Sequence, residues 1–466
     1  MIIPERARFS ASYALGPSFA GYSLAVRLSS VLVVVGAVLT LMGQAKADAI
    51  LDWNAEALQA IRTAKSAPPM AARNLAIVSG AAFDAVNSIS NSGYRNVFYT
   101  GAGNAGASKE AAAIQAQYDT LRALYPAQAG QFKTLYDNQM SQIAPGAARD
   151  AGMALGAKTA AAALAARTND GSATAGSVPD GRSNDLGKWR PTPSNFASGA
   201  LPGWSQVRPF TLNSSDQFRA DEMPALGTAE YAAAYNEVKA LGGLTSLART
   251  ADQTEIAMFW IGGSGTATPP GHWNRIAAGV SQDRNLSMED NARMFLLLNF
   301  SLADAAVSAW DTKYTFQCWR PITAIHQGDL DGNVTTDGDA NWSPLIPTPN
   351  HPSYVSGHST FSGAAATALA DFFGTDAISF EAESEDITAT RHFNSFSQAA
   401  AEAGKSRIYG GIHFEFDNAA GLAMGQNVAH WALQSLNSPV PEPVTLLAMG
   451  AGLAALVRRR RRAASE

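Results

Sequence analysis

Alanine recurs so densely along this chain, at helical rather than alternating spacing, that little besides packed helices can be built from it. Over residues 54–64 the positions Ala55, Leu58 and Ile61 share one helical face, and Pro68-Pro69 ends the run. Alanine-rich stretches at 70–89, 108–124, 131–143 and 147–167 continue the pattern, with glycine or proline between them. Alanine is the best helix former, and its small side chain lets helix backbones approach closely. Helical spacing resumes at 229–241, 251–260, 272–279, 288–311, 361–373 (closed by Gly374) and 418–436. No alternating run reaches strand length. The chain is predicted to be all-α, one or two helical bundles with a long irregular loop.

The exception to the helical pattern is 168–217, rich in Gly, Pro, Ser and Asn, with W-R-P-T-P at 189–193 and P-G-W at 202–204. It reads as a linker or as an ordered loop draped over a pocket. The predicted organisation is a signal peptide over 1–47, a helical part over 48–167, this loop over 168–217, a second helical part carrying the chemistry over 218–437, and a sorting segment over 438–466. The acidic loop 328–341 has a D-x-D-G-N start, but Val334 follows where a calcium loop needs glycine, so a solvated turn is expected.

Both ends are basic. Arg27, an apolar run over 31–42 and Ala45-Lys46-Ala47 have the layout of an export signal. At the other end V-P-E-P (440–443) precedes an apolar stretch (444–457) and five arginines (458–462), an order suited to a short segment entering a bilayer with its arginines on the cytoplasmic side. The net charge of the whole is -5, so the body between these ends is more acidic still and repels a nucleic-acid backbone. With Cys318 the single cysteine, no internal disulfide can form.

The chemistry concentrates in three stretches. Lys313 and Arg320-Pro321 make K-x6-R-P, and on one helix the two cations would share a face. Asn350–Thr360 reads N-H-P-S-Y-V-S-G-H-S-T, with Ser356, Gly357 and His358 at a helix opening, where unpaired N–H groups and the dipole favour an anion. S-R-I-Y-G-G-I-H-F-E-F-D sets Arg407, Gly411, His413 and Asp417 at S-R-x3-G-x-H-x3-D spacing. Asp417 either fixes the His413 tautomer or caps the following helix, or both. Three cations, a helix start and two histidines together describe a pocket for a tetrahedral oxyanion with acid–base groups.

These three motifs resemble the superfamily uniting vanadium-dependent haloperoxidases with type 2 phosphatidic acid phosphatases and bacterial class A acid phosphatases. Val355 departs from it, standing where the middle motif usually has proline. The resemblance implies that His413 bonds vanadium or attacks phosphorus, and that His358 is the acid–base residue. It assigns the oxyanion's oxygens to Lys313, Arg320, Ser356, Gly357 and Arg407. D-W-N-A-E-A-L-Q-A-I-R near the N-terminus, the W-R-P-T-P loop and the F-W-I-G-G-S-G-T-A-T-P-P-G-H-W-N stretch (259–274) resemble the longer bacterial haloperoxidase-like proteins. On that branch Trp310 and His351 fall at the halide site, although Trp310 also fits a core and His351 a turn. The C-terminal order resembles the PEP-CTERM sorting signal, which implies handling by an exosortase, transient inner-membrane anchoring and delivery to the periplasm or outer surface of a Gram-negative bacterium.

Two reactions fit one pocket. The first is halide oxidation by hydrogen peroxide at a His413-bound vanadate, and the second is hydrolysis of a phosphate ester through a phosphohistidine, with no cofactor. A surface-displayed scaffold with a relic pocket is a third reading, against which the intact cations and histidines count.

Overall fold

The computed structural model describes residues 48–90 and 92–437. The export signal and the sorting segment therefore lie outside the described residues. The first five helices are α1 Ala49–Ala64, α2 Pro68–Ser90, α3 Lys109–Leu124, α4 Ala129–Gln142 and α5 Ala147–Arg167. After the long loop come α6 Ala229–Gly242, α7 Ala251–Phe259, α8 Thr268–Arg284, α9 Met288–Phe316 and α10 Pro321–His326. The described residues close with α11 Gly357–Phe373, α12 Phe396–Tyr409 and α13 Glu415–Asn437.

At the centre lies α9, capped by Ser287 and buried along almost its whole length. It is the one described helix long and apolar enough to cross a membrane, but 94% of its apolar window is buried inside the protein. It packs against α2 on one side and α11 and α13 on the other. The last two approach each other through glycine: a Cβ on Gly425 would stand 2.1 Å from the Thr360 carbonyl oxygen, and one on Gly363 would stand 2.4 Å from that of Leu422. Only a residue without a side chain fits there, and the closeness lets the Ser356 N–H reach the Asp417 carbonyl at 3.0 Å.

Four details differ from the sequence expectation. Helix α8 begins at Thr268 rather than 272, because Pro269 and Pro270 occupy its first turn, where a missing N–H costs nothing. A short antiparallel hairpin, β1 Phe380–Glu383 with β2 Thr390–Phe393, pairs Phe380 with Phe393. Its four-residue strands alternate buried and exposed in β1, too briefly to register as a period. Finally, Lys313 and Arg320 do not share a helix. Helix α9 ends at Phe316, Gln317 takes a left-handed conformation, and Arg320 precedes α10. Nor is the 328–341 loop merely solvated: Asp331 and Thr336 are buried and bonded to each other.

The irregular stretch after α5 is ordered and braces this turn. Trp189 N–H donates to the Gln317 carbonyl at 2.6 Å and Trp319 N–H to that of Gly187 at 3.0 Å. Asp304 on α9 accepts the N–H groups of Phe210, Thr211 and Leu212, fastening the loop to the central helix.

Candidate active site

His413 follows a tight turn that Gly411 makes at φ +78°, a conformation glycine adopts without strain. Its Nδ1 lies 2.8 Å from Asp417 Oδ2, one helical turn on. That oxygen also accepts the Phe414 N–H at 3.0 Å and the Ser353 hydroxyl. A carboxylate oxygen surrounded by donors fixes the proton of His413 on Nδ1, leaving Nε2 with its lone pair. Arg320 approaches Nε2 through NH1 at 3.1 Å, as a donor must. Asp417 thus orients His413 from within the first turn of α13.

All three cations are buried, Lys313 and Arg320 at 0% exposure and Arg407 at 2%. Lys313 Nζ donates to the carbonyls of Pro352 (2.8 Å) and Ser353 (2.9 Å). Arg320 donates to those of His351 and Ile412, both at 2.8 Å, and through NH2 to His351 Nδ1 at 2.9 Å. Arg407 NH1 donates to the Trp260 carbonyl, while its buried Nε has no partner. Among the described residues none of the three forms an ion pair with a carboxylate. Burial, and then mutual repulsion, pushes Lys313 well below the usual lysine range and Arg407 down to about 9. Burial also lowers Arg320, to about 10. Buried cations without an ion pair are unfavourable, and Asp417 is the opposite charge that partly offsets the burial of Lys313 and Arg320.

Burial likewise holds His413, His358 and His351 well below the ordinary imidazole value, with neighbouring cations adding to the effect. His358 Nε2 lies 3.1 Å from the Ile261 carbonyl, which makes Nε2 the donor and leaves Nδ1 as the acceptor. Burial raises Asp417 to about 6, opposed by the Ser353 and Phe414 hydrogen bonds.

Arg407, His351, Gly357, His358, His413 and Trp310 line a cavity of about 470 Å³. The rings of Trp310 and His351 lie 5.2 Å apart, and Trp310 Nε1 donates to the Ala200 carbonyl on the long loop. Lys313, Arg320 and Ser356 stand behind this wall rather than on it. Ser356 is the N-cap of α11, its oxygen accepting the Ser359 N–H at 3.2 Å. The three motifs thus converge. Sequence reasoning missed Ser353, whose hydroxyl completes the Asp417 shell, and the carbonyls of Trp260 and Ile261. It also missed the wall formed by Lys65–Pro68 and Thr268. None of these has a spacing that marks it.

Three buried cations gathered around the oriented His413, carried on packed helices, are what the site presents. Residues 293–442 match the family model described as the VCPO second helical-bundle domain, and residues 439–462 match the PEP-CTERM protein-sorting motif. Vanadium chloroperoxidase of Curvularia inaequalis is 27% identical over 254 residues, 41% of this chain and 41% of that protein. The chain therefore aligns with less than half the length of that curated relative. Among solved structures, a protein titled the first bacterial vanadium-dependent iodoperoxidase superposes with a TM-score of 0.73 at 27% identity, covering 85% of this chain and 97% of the other. A bacterial vanadium-dependent chloroperoxidase, at 17% identity and a TM-score of 0.63, covering 80% of this chain and 95% of its own, shares the fold. In sequence over part of its length and in fold over most of it, the chain is similar to vanadium haloperoxidases, and its C-terminal residues match the PEP-CTERM sorting motif.

Proposed function

We propose that this protein is a vanadate-dependent haloperoxidase that oxidises halide with hydrogen peroxide. The observation that carries the reading is the set of three buried cations, none ion-paired among the described residues, around a histidine with its lone pair on Nε2. Vanadate fits such a site: the unpartnered Nε of Arg407 and the His413 imidazole stand on one cavity wall, where a tetrahedral oxyanion would be held by charge and one ring nitrogen. When bound, it supplies a Lewis acid that activates peroxide for a two-electron oxidation of halide.

In this reading His413 bonds the group through Nε2, with Asp417 holding the opposite proton. Arg407 brings an unpaired donor to the anion from the cavity wall, and Lys313 and Arg320 supply charge from behind, with Ser356 and the N–H of Gly357 at the head of α11. His358 would take up and hold the proton of peroxide at Nδ1 as the acid–base group. Trp310 and His351 flank the halide. The net reaction consumes peroxide, halide and one proton and yields hypohalous acid and water. Export, recognition by an exosortase and transient anchoring in the inner membrane follow from the sorting motif in the same reading.

The test is to titrate the purified protein with vanadate and follow bromide and iodide oxidation by peroxide. Saturable, vanadate-dependent oxidation is expected. Hydrolysis of a generic phosphate ester without vanadate, with no halide oxidation in its presence, overturns the reading in favour of a phosphatase. Inactivity in both assays overturns it in favour of a scaffold.

A further inference from the structure

The cavity has much more room than a single oxyanion fills. At about 470 Å³ it lies in the range of small-molecule pockets, roughly 300–1,000 Å³. Beyond the cations its walls are largely apolar, formed by Leu201, Ile261, Pro269, Ile346, Phe361 and Ile412. Among the described residues of this wall, a neutral polar group joins Arg407 Nε in having no partner. Thr268 is 3% exposed, and its hydroxyl is buried with no hydrogen bond.

Thr268 is also strained. Its φ is +62°, a left-handed conformation that a β-branched residue rarely adopts. The surroundings impose it. Thr268 N–H donates to Thr266 Oγ1 at 3.0 Å, the Thr266 hydroxyl donates to the Gly263 carbonyl at 2.7 Å, and Ala267 N–H donates to Glu385 at 2.9 Å. Strain held in place at a cavity wall points to a role for the side chain.

The position narrows the ligand. Thr268 opens the 17-residue helix α8, and helix starts commonly cradle anions through free N–H groups. Here Pro269 and Pro270 have no N–H, and that of Thr268 is already used. What remains is a hydroxyl, suited to a neutral partner. One turn along, His272 Nε2 is also buried without a partner, its ring stacked on Trp260 at 4.6 Å.

We propose that Thr268 is a substrate-positioning residue whose hydroxyl binds the hydroxyl or carbonyl group of an otherwise apolar organic molecule held beside the oxyanion site. Thr268 lines the cavity, and its hydroxyl has no competing partner. Resting on the haloperoxidase reading, this molecule is the acceptor of the oxidised halogen. One of its C–H bonds becomes carbon–halogen, the proton is released, and halide is oxidised as peroxide is reduced to water.

The experiment measures binding of 2-naphthol and of naphthalene to the whole protein by calorimetry, without vanadate, peroxide or halide. Wild type should prefer 2-naphthol by about tenfold, the scale of one hydrogen bond. Thr268→Val, equal in shape, should lose that preference while keeping its affinity for naphthalene, and Thr268→Ser should retain it. A Thr268→Val protein that still discriminates as wild type does, or a wild type that binds neither probe or binds both equally, overturns the assignment. Because no halide chemistry enters this assay, a failed binding preference and a failed haloperoxidase reading are separate results.

Discussion

Arg320 NH1 stands 3.1 Å from Nε2 of His413, the ring nitrogen opposite the one that Asp417 holds at 2.8 Å. The imidazole is therefore spanned between a carboxylate that fixes its proton and a guanidinium that faces its lone pair. An incoming anion meets a nucleophilic nitrogen and a positive charge at the same place.

Replacing Asp417 by Asn should undo this arrangement. The amide puts donors where Oδ2 now accepts three hydrogen bonds, favouring the tautomer with its proton on Nε2. Loss of such an orienting partner costs about 10–100-fold in affinity or activity. Vanadate titration, together with nitrogen NMR of the His413 ring, should report both the loss and the tautomer change.

Arg407 separates stability from binding. Its Nε is buried without a partner, so Arg407→Met removes an uncompensated charge, and the protein without anion should melt at the same or a higher temperature. Hydrogen bonds to a charged group contribute roughly 1.5–3 kcal/mol, so vanadate or phosphate affinity should fall about 10–100-fold. Calorimetric titration and thermal melts check the two halves.

Acid should weaken the protein through its neutral histidines. Burial depresses His272 to about 4, below the unfolded value of about 6.5. The unfolded chain binds the proton first, so the contribution is fully present above about pH 6.5 and is lost as pH falls toward about 4. The upper bound is on the order of 3 kcal/mol. Urea midpoints measured across that window should decline less steeply for His272→Phe than for wild type, a comparison that cancels the opposing effect of carboxyls such as Asp84, raised to about 6 by burial.

Gly425→Ala should be costly far from any charge. The new Cβ would sit 2.1 Å from the Thr360 carbonyl oxygen, forcing α11 from α13 at a cost of about 1–3 kcal/mol. Anion affinity should drop with it, because Ser356 and Asp417 meet across that contact. Denaturant melts and vanadate titration should move together.

The helical architecture was legible because alanine density and helical spacing act locally, as in the stretches that become α2, α3 and α5. The pairing of His413 with Asp417 was legible because four residues place them one helical turn apart, and the two meet at 2.8 Å. The chain reversal at Gln317 was not, since seven residues separate Lys313 and Arg320 whether the helix continues or breaks. Ser353 and the Trp260 and Ile261 carbonyls were invisible for another reason. They act through tertiary contact alone, and a backbone carbonyl carries no sequence signature. The hairpin strands are shorter than any window in which alternation can be told from chance.

The turn between α1 and α2, at Lys65–Pro68, closes one side of a cavity whose histidines and buried arginine, His351, His358, Arg407 and His413, all come from residues after 300. This wall and the buried histidines are thus encoded in distant halves of the gene. Variation in the early half can alter which molecules are admitted while the later half keeps its charges in register, so close relatives with identical motifs can differ in what they act upon.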